Sequence, residues 1–206
     1  IEKIYVEEKP KDKINLIYHT TPWRGLALLL KVFKNLNLKN VELNVCSSTI
    51  IYGKKFDSVL GKTYESIFNE CKNTKNVNYF GFLDNKKIIQ MLKKMHIFSH
   101  PSIWPETSCI AAIESMAAGC EVVTTNLGAL SETCSSFGTF VNFDRNFDNL
   151  EKKYSEVLLN SIKNFWSDEN QNKLKLQSRT INATYSWNVR SVEWKNFLDK
   201  ARKLKS

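Results

Sequence analysis

Residues 97–125 read IFSHPSIWPETSCIAAIESMAAGCEVVTT. Ile97–His100 is a short apolar run closed by Pro101, the pattern of a buried strand. Pro101 and Pro105 then hold an extended loop. Thr107 or Ser108 is placed to cap a helix that runs to Ala118, and Gly119 is its natural stop. Ala111, Ala112, Ala117 and Ala118 keep the helix slim enough to pack closely on a sheet. Glu121–Thr125 reads as the next strand. A strand, a crossover helix and a second strand in this order make a right-handed parallel unit.

The alternation extends in both directions. Ile14–His19 is a short apolar strand, and Gly25–Leu36 has helical spacing through Leu26, Leu29, Leu30 and Phe33. Val41–Cys46 alternates like a strand, Ser58–Cys71 can be a helix, and Val77–Phe80 is a strand ended by Gly81. Asp84 caps a helix through Met95, with Ile88, Ile89, Met91 and Leu92 on its apolar side. Thr139–Val141 is a further short strand, and from about residue 147 the pattern is helical to the end. Strands alternating with helices predict an α/β fold: a Rossmann-like, doubly wound parallel sheet covered on both faces. Residues 1–13 stand apart as an N-terminal extension or the remains of a linker. Residues 14–206 form the domain, with 147–206 mostly helical. Ligands of such sheets sit at the carboxyl ends of the strands, near the point where the winding reverses. That points to His19–Gly25, Ser47–Ser48, Gly81–Leu83, Pro101–Ser108 and Asn126–Leu130.

The 206 residues suffice for a core that needs no disulfide or metal. Hydrophobic residues at 42% and charged residues at 25% argue against wholesale disorder. No apolar run reaches the ~18 residues of a membrane span, and the charged start lacks a signal-peptide core. A first residue of Ile rather than Met suggests a fragment or a processed chain. Thirty Lys and Arg against 21 Asp and Glu give a net charge of +9. That balance favours anionic partners, or else reflects a Lys/Asn-rich bias such as residues 72–76. The five cysteines (46, 71, 109, 120 and 134) are scattered and lack a CxxC pair. They read as reduced, mostly buried thiols of a cytosolic compartment. Asn182-Ala183-Thr184 is formally a glycosylation sequon, which matters only in a secreted protein.

The helix after Pro105 carries the chemical interest. Its free N–H groups and dipole offer an anion site. Glu106 precedes it and Glu114 lies two turns in, a rise of roughly 12 Å. That span suits a ligand with a phosphate at the helix start and hydroxyl-rich groups on either side, because a carboxylate accepts two bonds from vicinal hydroxyls. The alternative is an ordinary amphipathic helix with Glu106 as a helix-start charge and Glu114 exposed to solvent.

The stretch from Glu106 to Glu114 resembles the E-x7-E motif of retaining glycosyltransferases of the GT-B fold, in the large family 4 that includes sucrose synthases. The resemblance is wider than two glutamates. Residues 18–26, YHTTPWRGL, look like the first strand, loop and helix of the nucleotide-sugar-binding domain. Phe80-Gly81-Phe82-Leu83 looks like its turn beside the base, and residues 121–132 like the strand and loop after the motif helix. Tyr185-Ser186-Trp187 with the Val192–Leu198 helix looks like the family's C-terminal end. The ordered set runs from about residue 14 to residue 198.

The resemblance implies a nucleotide diphosphate sugar as donor substrate, no cofactor and no metal. Glu114 would hold the ribose hydroxyls. Glu106 would face the donor hexose and stabilise an oxocarbenium-like transition state. Backbone N–H groups of Thr107, Ser108 and Cys109 would meet sugar hydroxyls or the distal phosphate. Arg24 would neutralise the departing diphosphate, and Gly25 would let the loop approach the phosphates. The turn with Phe82 and Leu83 would serve the base. The family's second basic residue, about five positions earlier, is replaced by His19 followed by Thr20 and Thr21. Phosphate binding then rests on Arg24 and helix dipoles, with or without His19. Ser47-Ser48 replaces a glycine-containing turn. The five tryptophans look like core and lid residues.

Absent motifs narrow the class. There is no DxD, no GxGxxG and no P-loop, and the three histidines make no metal-ligand pattern with the cysteines. The expectation is the donor half of a two-domain enzyme. It needs a second, acceptor-binding domain in the same protein or another chain, and a glycan, lipid-linked or glycoprotein acceptor. The competing readings are a non-catalytic nucleotide-sugar-binding or scaffold module, a nucleic-acid-binding domain suggested by charge alone, and a related epimerase. Nucleic acid is not the expected partner. The expected place is the cytoplasm, with the basic tail Lys195–Lys205 meeting an acidic membrane surface, forming a solvated last helix or marking an interdomain contact.

Overall fold

The computed structural model of the chain describes residues 1–203. Its strands are β1 (Ile14–Tyr18), β2 (Val41–Val45), β3 (Val77–Tyr79), β4 (Ile97–His100), β5 (Glu121–Thr125) and β6 (Thr139–Val141). Helices α1 (Leu26–Leu36), α2 (Lys54–Asn73), α3 (Asn85–Leu92), α4 (Ile110–Ala117) and α5 (Leu130–Cys134) connect them. Three helices follow: α6 (Phe147–Asn164), α7 (Asp168–Tyr185) and α8 (Trp187–Lys203).

All strand pairings are parallel, in the order β3-β2-β1-β4-β5-β6. The chain winds outward from β1 to β3, crosses back to β4, and winds outward the other way. The reversal therefore lies between β1 and β4, where the loops leave room for a ligand. Side chains alternate across the sheet. Leu16, Tyr18, Ile97 and Val123 face one core with Leu29, Leu30, Leu150 and Tyr154 of α1 and α6. Ile17, Phe98 and Val122 face the other, with Leu92, Ala112, Met116 and Ile181 of α3, α4 and α7. Each fully buried Leu or Ile here contributes about 1.5–3 kcal/mol. Tyr154 is buried without loss because its hydroxyl donates to Val123 O at 2.8 Å and lies 2.9 Å from Ser99 Oγ.

The expected α/β fold is present, and most elements fall within a few residues of the pattern. Asp84 caps α3 as expected, its carboxylate accepting from Lys87 N. The motif helix differs: it starts at Ile110, and neither Thr107 nor Ser108 caps it. Glu106 forms a parallel bridge with Gly128, and Ala129 N donates to Glu106 O at 2.7 Å. This pairing keeps the chain before Cys109 extended. The tryptophans are not core residues either: Trp104, Trp166, Trp187 and Trp194 are exposed and Trp23 is half-buried. All five cysteines are buried free thiols.

Two further segments are held more firmly than the sequence suggested. Residues 1–13 pack against the domain: Ile4 is buried, and Lys9 Nζ donates to Met95 O and Ala118 O. Asn182 is no open glycan acceptor. Its amide nitrogen donates to Ile4 O, Ala117 O and Ser178 O, and its oxygen accepts from Ile4 N. With Gln177 and Ser178, it satisfies the carbonyls at the end of α4. Of the basic tail, Lys205 lies outside the described residues. No helix among them is long and apolar enough to cross a membrane.

Candidate functional site

The loop after β1 is braced from within. Tyr18 donates its hydroxyl to Thr21 O at 2.8 Å, and Arg24 N donates to Thr21 O at 3.2 Å, closing the turn Pro22–Arg24. Ile103 N donates to Arg24 O, lacing this loop to the one after β4. The two loops touch at Gly25. Its φ is +130°, and a Cβ there would lie 2.2 Å from Pro101 O. Glycine is thus required by the neighbouring loop, and Gly25 is buried behind the cleft.

A third loop fixes Glu106. Gly128 has φ +65°, and a Cβ would lie 2.5 Å from the backbone N and O of Glu106. The Glu106 side chain is 3% exposed, and Arg24 Nη1 binds both its oxygens, at 2.7 and 2.5 Å. A buried carboxylate needs such a partner. His100, fully buried at the end of β4, places Nε2 3.6 Å from Glu106 Oε1. Neither ring nitrogen has a hydrogen-bond partner among the described residues. Burial pushes its pKa down, so the ring is neutral at pH 7.

Glu114 lies on α4 and is buried, contrary to the solvent-exposed alternative. Its Oε1 accepts from Asn85 Nδ2 at 2.8 Å, while burial raises its pKa. His19 Nε2 lies 2.9 Å from Ser115 Oγ, and burial takes its pKa down to about 3. A neutral His19 supplies no charge to a phosphate.

These elements surround a cleft of about 410 Å³. His19, Thr20, Thr21 and Arg24 line it from β1, Phe82, Leu83 and Asn85 from the turn after β3, and Ser108, Cys109 and Glu114 from α4 and its approach. The first turn of α4 therefore opens into the cleft. Thr21 Oγ1, Ser47 Oγ and Arg24 Nε are buried there or beside it, without partners among the described residues. Ser48, Ile51 and Tyr52 complete one wall. Glu106 joins through Arg24, whereas Thr107 is exposed outside the lining. Asn85, Ser115 and His100 escaped the sequence reading. Asn85 follows the recognisable cap Asp84, but nothing in the spacing ties it to Glu114.

His100, Glu106 and Cys109 offer three ligand atoms within 4.8 Å of one another. The chemistry argues against a cation there. Arg24 already binds both carboxylate oxygens, and burial pushes the Cys109 thiol up to about 11.

Fold and cleft together define the class: a Rossmann-like unit with a cleft at its winding reversal. A family model, glycosyl transferases group 1, matches residues 2–181, and the chain belongs to that family. A curated relative, an uncharacterised 41.2 kDa protein of the cps region of Klebsiella pneumoniae, is 24% identical over 175 residues. The match covers 83% of this chain and 43% of that protein, so the chain spans under half the relative's length. Among solved structures, the sucrose-phosphate synthase of Thermosynechococcus elongatus superposes with a TM-score of 0.72 at 14% identity. That match covers 95% of this chain and 47% of the synthase. HepE of Anabaena, in complex with UDP and glucose, gives 0.68 at 15% identity, over 92% and 49% of the two chains. At these identities the likeness is one of fold: the chain has the architecture of one half of a GT-B glycosyltransferase.

Proposed function

We propose that this chain is the donor-binding half of a retaining glycosyltransferase whose substrate is a nucleotide diphosphate sugar. One observation carries the reading: the buried carboxylate of Glu114 lines a cleft at the winding reversal, together with Arg24 and the first turn of α4. Glu114, steadied by Asn85, accepts the two ribose hydroxyls. The base lies against Phe82 and Leu83. Backbone N–H groups at the start of α4 and the Arg24 guanidinium receive the diphosphate. As the bond from the anomeric carbon to the phosphate oxygen breaks, the electron pair leaves with the diphosphate, and Arg24 stabilises that charge. Glu106 stabilises the positive charge developing on the sugar. The acceptor hydroxyl attacks from the same face and passes its proton to the departing phosphate oxygen. HepE, a family-fold neighbour bound to UDP and glucose, supports this choice of ligand.

The acceptor, a glycan or a lipid- or protein-linked sugar, is assigned to a second domain in the same protein or a partner chain. On this reading the chain alone binds donor and transfers little. The test is isothermal titration with UDP, GDP, ADP and dTDP against the chain and its Glu114→Ala variant. Saturable binding of one nucleotide, weakened at least tenfold in the variant, is expected. Equal affinity in both proteins, or no binding at millimolar nucleotide, refutes the assignment.

A further inference from the structure

Arg24 has two claims on it. Under the proposed donor reading its guanidinium serves the diphosphate. In the structure it is the hydrogen-bonding partner of both oxygens of Glu106, whose carboxylate is almost wholly buried. Drawing Arg24 toward a ligand leaves a buried negative charge short of donors, which is strongly unfavourable. Glu106 cannot relax into water, because the Gly128 bridge and the Ala129 hydrogen bond pin its backbone.

One side chain is placed to replace Arg24. His100 Nε2 lies 3.6 Å from Glu106 Oε1, just beyond hydrogen-bond range. The ring is fully buried, stacks on Phe98 at 5.3 Å and packs near Tyr18, and neither nitrogen is satisfied among the described residues. A fully buried, unsatisfied imidazole in a packed core calls for an explanation. We propose that His100 is a positioning residue that takes over Glu106 when the donor's diphosphate draws Arg24 away. In this exchange Nε2–H donates to Oε1 after a shift of well under 1 Å. Arg24 then neutralises the diphosphate, while Glu106 stays hydrogen-bonded and aimed at the sugar.

The exchange rests on the donor reading, and it predicts that His100 matters for ligands that carry phosphates and not for those that lack them. The probes are the nucleoside diphosphate selected by the four-nucleotide titration and its parent nucleoside. The sugar is omitted so that its hydroxyls cannot substitute as donors to Glu106. His100→Phe keeps the ring volume and the stack but has no donor. His100→Gln restores an N–H donor. Diphosphate binding is expected to weaken about 10- to 100-fold in His100→Phe, the usual effect of stranding a buried charged acceptor. Nucleoside binding should stay within about threefold, and His100→Gln should recover most of the diphosphate affinity. An unchanged diphosphate affinity in His100→Phe overturns the proposal and leaves the donor site standing. So does an equal loss for nucleoside and diphosphate, which marks structural damage. A wild-type chain that binds no nucleotide overturns the donor site and this exchange together.

Discussion

Gly25→Ala is a single methyl group placed where the loops after β1 and β4 meet. The substituted residue would keep a φ near +130°, which costs an L-residue about 1–2 kcal/mol. Its Cβ would lie 2.2 Å from Pro101 O and 3.0 Å from Pro101 C, both backbone atoms that cannot rotate away. Relief requires the loops to part by about 1 Å, and overpacking of this kind costs about 1–3 kcal/mol. The sum is roughly 2–5 kcal/mol, or a Tm lower by about 4 to 20 °C for a chain of this size. Function should suffer as well, since Arg24 immediately precedes Gly25 and Pro101 leads to Glu106. Nucleoside diphosphate affinity, measured by titration below the Tm, should fall at least tenfold. Gly61→Ala is the control. It sits in α2 without a positive φ, and its new methyl would meet only side-chain atoms of Asp57 and Thr49. That change should be neutral or stabilising by up to ~1 kcal/mol. A Gly25→Ala protein with wild-type Tm and affinity would show that the loop contact does not constrain the site.

Glu114→Ala should lower nucleotide affinity without lowering stability, because burial already raises the pKa of this carboxylate and disfavours its charge; a fall in urea-derived stability above ~1 kcal/mol contradicts this. His96 is buried, with Nδ1 accepting from Asn15 N and Nε2 donating to Pro10 O, and its pKa falls to about 4. The unfolded chain therefore binds this proton at higher pH than the native state, so its contribution is complete above about pH 6.5 and is lost as pH falls toward 4. Urea titrations at pH 7 and pH 5 should differ by roughly 2 kcal/mol from this residue, a difference that should vanish in His96→Gln. Asn182→Ala should destabilise by about 2 kcal/mol, since it strands the backbone N–H and carbonyl of Ile4; amide exchange should quicken around residues 1–9, and unchanged protection there argues against the clamp.

The sheet was legible because parallel strands buried on both faces read as short apolar runs, as Ile97–His100 and Glu121–Thr125 do. The beginning of α4 was not. Thr107 and Ser108 have the chemistry of caps, and what overrides them is a pairing with Gly128, some twenty residues later in the chain. The polar set Gln177, Ser178 and Asn182 reads as the wet side of a helix. In the structure its partners are carbonyls at the end of α4 and in the N-terminal segment. The site divides in the same way. Residues that follow strands (His19, Thr20, Thr21, Arg24, Phe82 and Leu83) were identifiable from position, and all six line the cleft. The Arg24–Glu106 pair and the His100 contact depend on how loops pack across the winding reversal, which no local spacing records.

Charge was a poor guide to the cleft. The chain carries +9, yet the charged side chains lining the cleft are Arg24 and Glu114, one of each sign. Arg24 is further balanced by Glu106 behind it. A site of this kind does not gather anions by bulk potential, as a nucleic-acid surface does. On the proposed donor reading, selectivity for a diphosphate comes from directed donors: the N–H groups at the start of α4, the buried hydroxyl of Thr21 and the Arg24 guanidinium. The opposite environments of the two glutamates follow the same logic. Glu106 is paired with the Arg24 guanidinium, which fits the proposed role of answering positive charge on a sugar. Glu114 accepts from the amide of Asn85, which suits the proposed task of accepting neutral hydroxyls.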